Sequence, residues 1–425
     1  MRLIYALVIL SLFNCCTLSC TTKPQEKTLK LGVIADPHYL SEQLMDNGAA
    51  IKAYDKRSGK AIQEVPFVLE QVINDYLNSD IDVLLIPGDM TKDGEKESHT
   101  QFVEKLQPLL KKGVRIYVIP GNHDINMPNA LGYKGNTTYP IETISPTDFT
   151  EIYTDFGYSD ALERDPASLS YVAKLDNTTW LLAIDVCRYN EQTTTTISSG
   201  KLLPATEKWI EEVINKATKN NIRVVGMMHH GLVEHIMMQS TFFSDYIVDD
   251  WKRLASRFAD WGMKAIFTGH FHANDITEYT SQAGNKIYDI ETGSLAVYAF
   301  PYRFVELSKQ GLKITTKNIT STPLSPQLAT TNKAVMQERG KQLALEKIQA
   351  RGMVLPDNVS SLIVNIISQI FVMHLEGDEK VDEALKSSIK DLSKELGSPM
   401  NTPSRFLEID FYPADNNVVI NFEGN

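Results

Sequence analysis

Side chains that are able to bind a metal or move a proton are concentrated in five short segments of this 425-residue chain. The residues are Asp36, His38, Asp89, Asn122, His123, Asp124, His229, His230, His270 and His272. Six of the nine histidines belong to this set, whereas His99, His235 and His374 lack such a context and are expected to be structural. Nitrogen and oxygen donors without a thiolate suit Mn, Fe or Zn. The pattern therefore predicts a metal site built from all five segments.

Each segment directly follows an apolar run of β-strand length. The runs span residues 29–35, 81–86, 114–119, 222–228 and 265–268, and a further run spans 180–184. Nearly continuous apolar runs are typical of strands that are covered on both faces. Helix-spaced apolar residues occur between them, over 65–77, 98–110, 205–217 and 246–258. This alternation predicts an α/β fold with much parallel sheet, in which the strand ends meet at one edge.

In their order along the chain, the segments resemble the D-x-H, G-D, G-N-H-D, H and G-H-x-H motifs of the calcineurin-like metallophosphoesterase superfamily. The resemblance covers about residues 29–320 and implies a four-layered α/β/β/α sandwich with two metals at the strand ends. The motif pattern is closest to the cyclic-nucleotide phosphodiesterase-like branch. The purple acid phosphatase branch is disfavoured, because Met90, Thr91 and Lys92 stand where a tyrosine ligand is expected.

The resemblance also implies a role for each residue. The first metal would be held by Asp36, His38 and His272, the second by Asn122, His229 and His270, with Asp89 bridging them. His123 would be the acid–base residue, oriented by Asp124. Either His229 or His230 fits the fourth motif. The spacing favours His229 as the ligand and leaves His230 nearby as a substrate-binding residue.

Two divalent transition-metal ions held in this way would hydrolyse a small phosphate ester. Ions ~3.5–4 Å apart share a hydroxide nucleophile and stabilise charge on the phosphoryl oxygens. His123 would protonate the departing oxygen. A phosphodiester is favoured over a monoester, because the motifs contribute only Lys92 as a cation beside the metals. The alternative is a non-catalytic envelope protein that uses the fold and its C-terminal domain to bind a partner.

The composition excludes other classes of protein. Hydrophobic residues make up 43% of the chain and charged residues 22%, which is typical of a soluble globular protein. The formal net charge is −11 and there is no dense basic run, so we expect no binding of duplex nucleic acid. Composition leaves the oligomeric state open.

The first 20 residues resemble a bacterial lipoprotein signal peptide. Arg2 precedes an apolar run over residues 3–13, which is too short to cross a bilayer comfortably. We predict cleavage before Cys20 and lipid on its sulfur; Cys15 and Cys16 are alternative acceptors, and plain secretion is the alternative process. Residues 21–28 would be a tether. The protein is therefore expected in the cell envelope, exported from the cytoplasm and anchored to a membrane.

A metallophosphoesterase domain is expected over residues 29–321 and a small C-terminal α+β appendage over 322–425. In the appendage, the pattern predicts helices over 333–350, 359–375 and 379–396, then a β-hairpin of 406–412 with 418–422. The apolar middle helix contains Asn365, Gln369 and His374, which favours a buried helix over a transmembrane one.

Two further segments, 127–158 and 235–248, follow the third and fourth motifs and are candidates for a lid over the metals. For the second, which is rich in Met and Phe, we favour an ordinary packed helix.

Overall fold

The structure, a computed structural model, describes residues 28–395 and 409–422. The predicted signal peptide with Cys20, and all but the last residue of the predicted tether, lie outside the described residues.

The strands and helices follow one another as a mixed α/β chain. The strands are β1 (Leu29–Val33), β2 (Val83–Ile86), β3 (Arg115–Val118), β4 (Leu131–Lys134), β5 (Thr137–Pro140), β6 (Glu163–Arg164), β7 (Tyr171–Lys174), β8 (Thr179–Ile184), β9 (Arg223–Met228), β10 (Ala265–Thr268), β11 (Ile276–Thr280), β12 (Lys286–Glu291), β13 (Pro301–Leu307), β14 (Gly311–Asn318) and β15 (Asn417–Asn421). The helices are α1 (Ala49–Ser58), α2 (Val65–Leu77), α3 (Lys96–Lys112), α4 (Pro146–Ile152), α5 (Pro204–Lys219), α6 (Gln239–Phe242), α7 (Trp251–Asp260), α8 (Leu328–Ala350), α9 (Asp357–Glu376) and α10 (Glu383–Glu395), with shorter turns at Thr154–Tyr158 and Ser244–Tyr246.

Two large sheets form the centre of the fold. The first has the strand order β15-β14-β13-β1-β2-β3 and the second β11-β12-β10-β9-β8-β7-β6. One continuous core joins the sheets and also contains α2 and α3 side chains such as Val68 and Leu106. A second core lies under α5 and α7, around Trp209 and Phe258. The predicted helix–sheet–sheet–helix layering is therefore confirmed.

The strands that precede the motifs run parallel, as predicted. In the first sheet, β1 pairs with β2 and β2 with β3. In the second sheet, β9 lies parallel between β8 and β10. All five motif-bearing strands therefore end at the same edge of their sheets.

The helices predicted between these strands are also present, although one begins later than expected. α2, α3 and α5 match their predictions within a few residues. α7 begins at Trp251 instead of residue 246, because Asp250 adopts a left-handed conformation with φ 59° before the first turn.

In the C-terminal region, α8 and α9 form a close helix pair. Gly340 lies against Phe371, and Ser368 Oγ donates to the Gln337 carbonyl oxygen at 2.6 Å. Among the described residues, α9 is the one helix that is long and apolar enough to cross a membrane by length and composition. In the fold it packs against α8 and α10.

The predicted C-terminal hairpin is wrong. β15 pairs in antiparallel orientation with β14, with Ile420 opposite Leu312. Residues 409–412 form no strand, and the rest of the predicted first arm lies outside the described residues. The free edge of β14 offers a complete row of backbone donors and acceptors, which a short hairpin partner does not. The chain therefore returns to the first sheet after α10.

Candidate metal centre and active site

Five of the predicted metal ligands have left-handed backbone conformations, which non-glycine residues rarely adopt. They are Asp36, His38, Asp89, His270 and His272, with φ between 44° and 73°. Such strain is concentrated at functional sites, where the surrounding fold holds it in place. Backbone strain therefore occurs at five of the residues that the motifs predict to be metal ligands.

Asp36, His38, Asp89 and His272 form the first ligand group, in which one donor atom from each lies within 4.8 Å of the others. The Nε2 atoms of His38 and His272 are 3.1 Å apart. His38 Nε2 is 3.6 Å from Asp89, and His272 Nε2 is 3.5 Å from Asp36. Burial lowers the pKa of both imidazoles, which favours the neutral form that binds metals.

Asp89, His229 and His270 form the second group, and Asn122 adjoins it. His229 Nδ1 donates to the Pro87 carbonyl oxygen at 2.8 Å, so its Nε2 is the atom left for a ligand. That Nε2 faces Asn122 Oδ1 at 3.0 Å and Asp89 Oδ1 at 3.5 Å. Acceptor atoms repel one another at such distances unless a proton or a cation lies between them. The donor set therefore fits a metal ion.

Asp89 belongs to both groups. Burial opposes its ionisation, but the attraction of His229, His123 and His38 outweighs burial and holds its pKa well below the usual range. Asp89 has the converse effect on His229. Burial opposes the charged form of His229, but the negative charge of Asp89 outweighs burial and raises the pKa of His229 to about 9. The Asp89 carboxylate therefore favours positive charge at this position, which suits a metal cation. A Cβ on Gly121 would lie 2.1 Å from Asp89 Oδ1, so only glycine permits this approach.

His123 lines the cavity beside the ligands, but its predicted orienting partner is wrong. Its Nδ1 lies 2.9 Å from Asp93 Oδ1, and its side chain is 24% exposed. Burial opposes ionisation of Asp93, yet the hydrogen bond from His123 and the charge of Lys92 hold its pKa at about 2. Asp93 is therefore the carboxylate that orients His123.

Asp124 instead ties the second motif loop to the third. Its carboxylate accepts the backbone N–H groups of Gly121 at 2.8 Å and Thr91 at 3.0 Å, and the Thr91 hydroxyl at 3.1 Å. His99 supports the same loop through the Asp124 carbonyl oxygen at 2.9 Å. These contacts use the Asp124 carboxylate fully, so it acts on the loops and makes no bond to the His123 ring.

His230 lies behind the second group and does not line the cavity. Its Nε2 donates to the Ser198 carbonyl oxygen at 2.7 Å, and its ring centroid is 4.2 Å from that of His270. Burial lowers its pKa to about 3, so it is neutral. The geometry makes it a packing partner of His270, contrary to the predicted contact with substrate.

Lys60 is a site residue that the sequence did not indicate. Its Nζ lies 3.2 Å from His38 Nδ1, and burial lowers its pKa. A single lysine in the loop between α1 and α2 carries no motif signal. By contrast Lys92, which the sequence favoured, is buried under Tyr54 and paired with Asp93.

A cavity of about 670 Å³ extends from the metal centre to α8 and α9. Its metal end contains Asn122, His123, His270 and His272, and its far end contains Ile363, Ile367 and Phe371 of α9. Phe242, Phe243 and Tyr246 from the Met- and Phe-rich segment form part of the wall. The packed helix that we favoured for this segment is therefore wrong: the only α-helix within it is the single turn α6.

Comparison with known proteins gives one family match and several similar solved structures. The calcineurin-like phosphoesterase family model matches residues 29–274, whereas none of the curated proteins matches the sequence. Among solved structures, a dimetal phosphatase from Danio rerio is 11% identical with a TM-score of 0.47, over 68% of this chain and 96% of that one. A purple acid phosphatase from yellow lupin is 12% identical with a TM-score of 0.46, and the match covers 69% of this chain and about half (52%) of the lupin chain. Since the family model covers more than half of the sequence, this protein belongs to the calcineurin-like phosphoesterase family.

Proposed function

We propose that this protein is a phosphoesterase that uses two divalent transition-metal ions (Mn, Fe or Zn) and hydrolyses phosphodiesters in preference to monoesters. The observation that carries the proposal is the position of Asp89 in both ligand groups. Two groups that share one carboxylate are suited to a pair of neighbouring cations. When bound, the cations supply a nucleophile from water and neutralise charge on the phosphate.

The side chains beside the ligands have separate tasks in this reaction. The Asp93 carboxylate accepts a hydrogen bond from His123 Nδ1 and so fixes the orientation of the ring. The other ring nitrogen is then the atom that gives a proton to the departing alcohol. The non-catalytic alternative predicts the loss of ligands, yet all seven ligand positions and His123 are filled.

The preference for diesters rests on the shape of the cavity. Lys92 is the only cation that the motifs contribute, but Lys60 and Arg339 line the cavity from other segments, so the charge near the metals no longer favours a diester. A volume of about 670 Å³ beside the ligands leaves room for a second ester substituent.

Metal analysis of the purified protein, combined with specificity constants for bis-p-nitrophenyl phosphate and p-nitrophenyl phosphate, tests both parts of the proposal. We expect two metals per chain and faster hydrolysis of the diester. A tenfold or greater preference for the monoester would overturn the diester assignment. A metal-free protein that hydrolyses neither ester after metal addition would overturn the enzyme assignment.

We further propose that the protein is a lipoprotein of the bacterial envelope with lipid on Cys20. The support is the sequence pattern, since this segment lies outside the described residues. Cys20→Ser should abolish incorporation of labelled fatty acid, with Cys15→Ser as the matched control. The opposite result for the two variants would identify Cys15 as the acceptor.

A further inference from the structure

We propose that the substrate is amphiphilic: a phosphate ester whose alcohol carries a long alkyl or acyl chain, with that chain in the apolar half of the cavity. This inference rests on the proposed function, because it assigns the phosphate to the metal centre.

The two halves of the cavity differ sharply in chemistry. One end holds the metal ligands and His123, and the other is formed by Leu343 and Ile348 of α8 with Ile363, Ile367 and Phe371 of α9. A nucleoside or sugar substituent needs hydrogen-bond partners for its polar edges. The α9 wall of the far half is mainly apolar, with His374 as its polar exception, and the basic side chains Arg339, Lys347 and Arg351 come from α8 and the residue that follows it. An apolar wall of this kind suits a hydrocarbon chain.

Several of these apolar side chains are only partly covered by the protein. Ile363, Ile367, Ile370 and Phe371 are all half-buried, although α9 packs against α8 through Phe371, which lies on Gly340, and through Ile363 and Ile367. All four side chains line the cavity, and a concave site lined by apolar side chains is typical of ligand binding. A bound chain would complete the burial of these α9 side chains.

The rim of the cavity fits a substrate that is presented at a lipid surface. In the loop after α8, Met353 is 45% exposed and Val354 is 97% exposed. Lys347 and Arg351 lie close by and pack over the Phe243 and Phe242 rings at 4.6 Å and 4.2 Å. Apolar tips beside basic side chains are the combination that inserts into anionic bilayers.

A homologous series of p-nitrophenyl alkyl phosphates tests the inference, because only the length of the alkyl chain changes. Each buried methylene contributes up to ~4-fold in kcat/KM, the equivalent of ~0.8 kcal/mol. We expect kcat/KM to rise from the methyl to the octyl ester, measured below the micellar concentration, and then to level off. A flat or falling series with hydrolysis intact would overturn the amphiphilic substrate and leave the phosphoesterase. Absence of hydrolysis across the series, together with absence of bound metal, would instead overturn the proposed function.

A matched pair of variants on α8 tests where the alkyl chain of the substrate binds. Leu343 lines the cavity, whereas Leu345 is 42% exposed and is not part of its lining. Leu343→Trp should lower the octyl-to-methyl ratio of kcat/KM at least tenfold, and Leu345→Trp should leave the ratio as it is. Equal ratios in both variants would contradict the assignment. If Leu343→Trp does not fold, Ile370→Asn on α9 replaces it with the same expectation.

The role of the rim in binding a lipid surface is tested with the octyl ester in vesicles of anionic phospholipid. Val354→Asp should lower the rate in vesicles relative to the rate with dispersed ester. An unchanged ratio would show that the substrate reaches the cavity from solution and would overturn presentation at a lipid surface.

Discussion

Within residues 28–395 and 409–422, histidines and carboxylates gather in two clusters that are built in opposite ways. The metal centre has its ligands at strand ends, in left-handed conformations, and it opens into the cavity. The other, which we call the C-terminal cluster, consists of His235, Asp275, His374, Glu379, Asp410 and Asp415.

In the C-terminal cluster both imidazoles are paired with acids. His235 Nδ1 lies 2.7 Å from Asp275, and His374 Nδ1 lies 2.7 Å from Glu379. Asp415 accepts the backbone N–H group of Ile276 at 2.8 Å, at the start of β11. These contacts fasten the segments after α9 to the second sheet.

The residue types in a cluster do not by themselves identify a metal site. Both clusters contain histidines and carboxylates within ligand distance of one another. In the metal centre the Nε2 atoms of His38 and His272 face each other at 3.1 Å, whereas in the C-terminal cluster His235 and His374 each direct Nδ1 at an acid. The orientation of the donors, together with backbone strain and an open cavity, separates a reaction centre from a structural cluster.

The largest effect is expected from Asp89→Asn, because it weakens both ligand groups at once. Loss of metal chemistry removes several kcal/mol of transition-state stabilisation, so kcat/KM should fall by at least ~10³-fold. Metal content, measured by elemental analysis, should fall with it. Asp80→Asn is the control, because Asp80 is 77% exposed in a surface ion pair. Two tightly held metals in the Asp89→Asn protein would count against the shared ligand.

A smaller effect is expected from His123→Ala, which removes the proton donor and spares the ligands. The expected loss in kcat is ~10²–10⁴-fold, and it should be larger for an alkyl than for a nitrophenyl leaving group. Asp93→Asn acts through the orientation of His123, so it should cause a smaller loss in kcat than His123→Ala does. Equal losses for good and poor leaving groups would rule out the acid role.

The contrast between the clusters also explains what the sequence reveals. Metal ligands such as Asp36 and His270 follow continuous apolar strands, so local patterns predict both the fold and the ligand positions. The partner of His123 is different, because Asp93 and Asp124 are both nearby in the chain and only geometry distinguishes them. From the sequence alone, either carboxylate could orient His123, and only the three-dimensional positions of the loops decide between them.

Features that depend on distant parts of the chain were missed for a similar reason. His235 and His374 belong to elements far apart in sequence, and nothing local indicates that both reach Asp275. The pairing of β15 with β14 likewise joins residues about a hundred positions apart, from Leu312 to Ile420. Such contacts are set by tertiary packing, which periodicity does not encode.

The smallest effect is expected in the C-terminal cluster, where Asp410→Asn should change stability and not catalysis. Burial, with repulsion from Glu379 and Asp275, raises the pKa of Asp410 from 3.8 to about 7. The folded protein therefore holds this proton more tightly than the unfolded chain does. The resulting stabilisation is complete below pH 3.8 and is lost as the pH rises to about 7.

Asparagine cannot ionise, and Asp410 Oδ1 has no hydrogen-bond partner to lose among the described residues. Thermal unfolding should therefore show a gain in Tm of roughly 1–3 °C for Asp410→Asn at pH 8, and a smaller gain at pH 5. Asp391→Asn on α10 is the control, since Asp391 is 52% exposed in a surface ion pair and such pairs contribute little. If added Mn²⁺ stabilises the wild-type protein at pH 8 and removes the advantage of Asp410→Asn, a cation instead of a proton neutralises this cluster. The two clusters would then be alike in chemistry and would differ only in their access to the cavity.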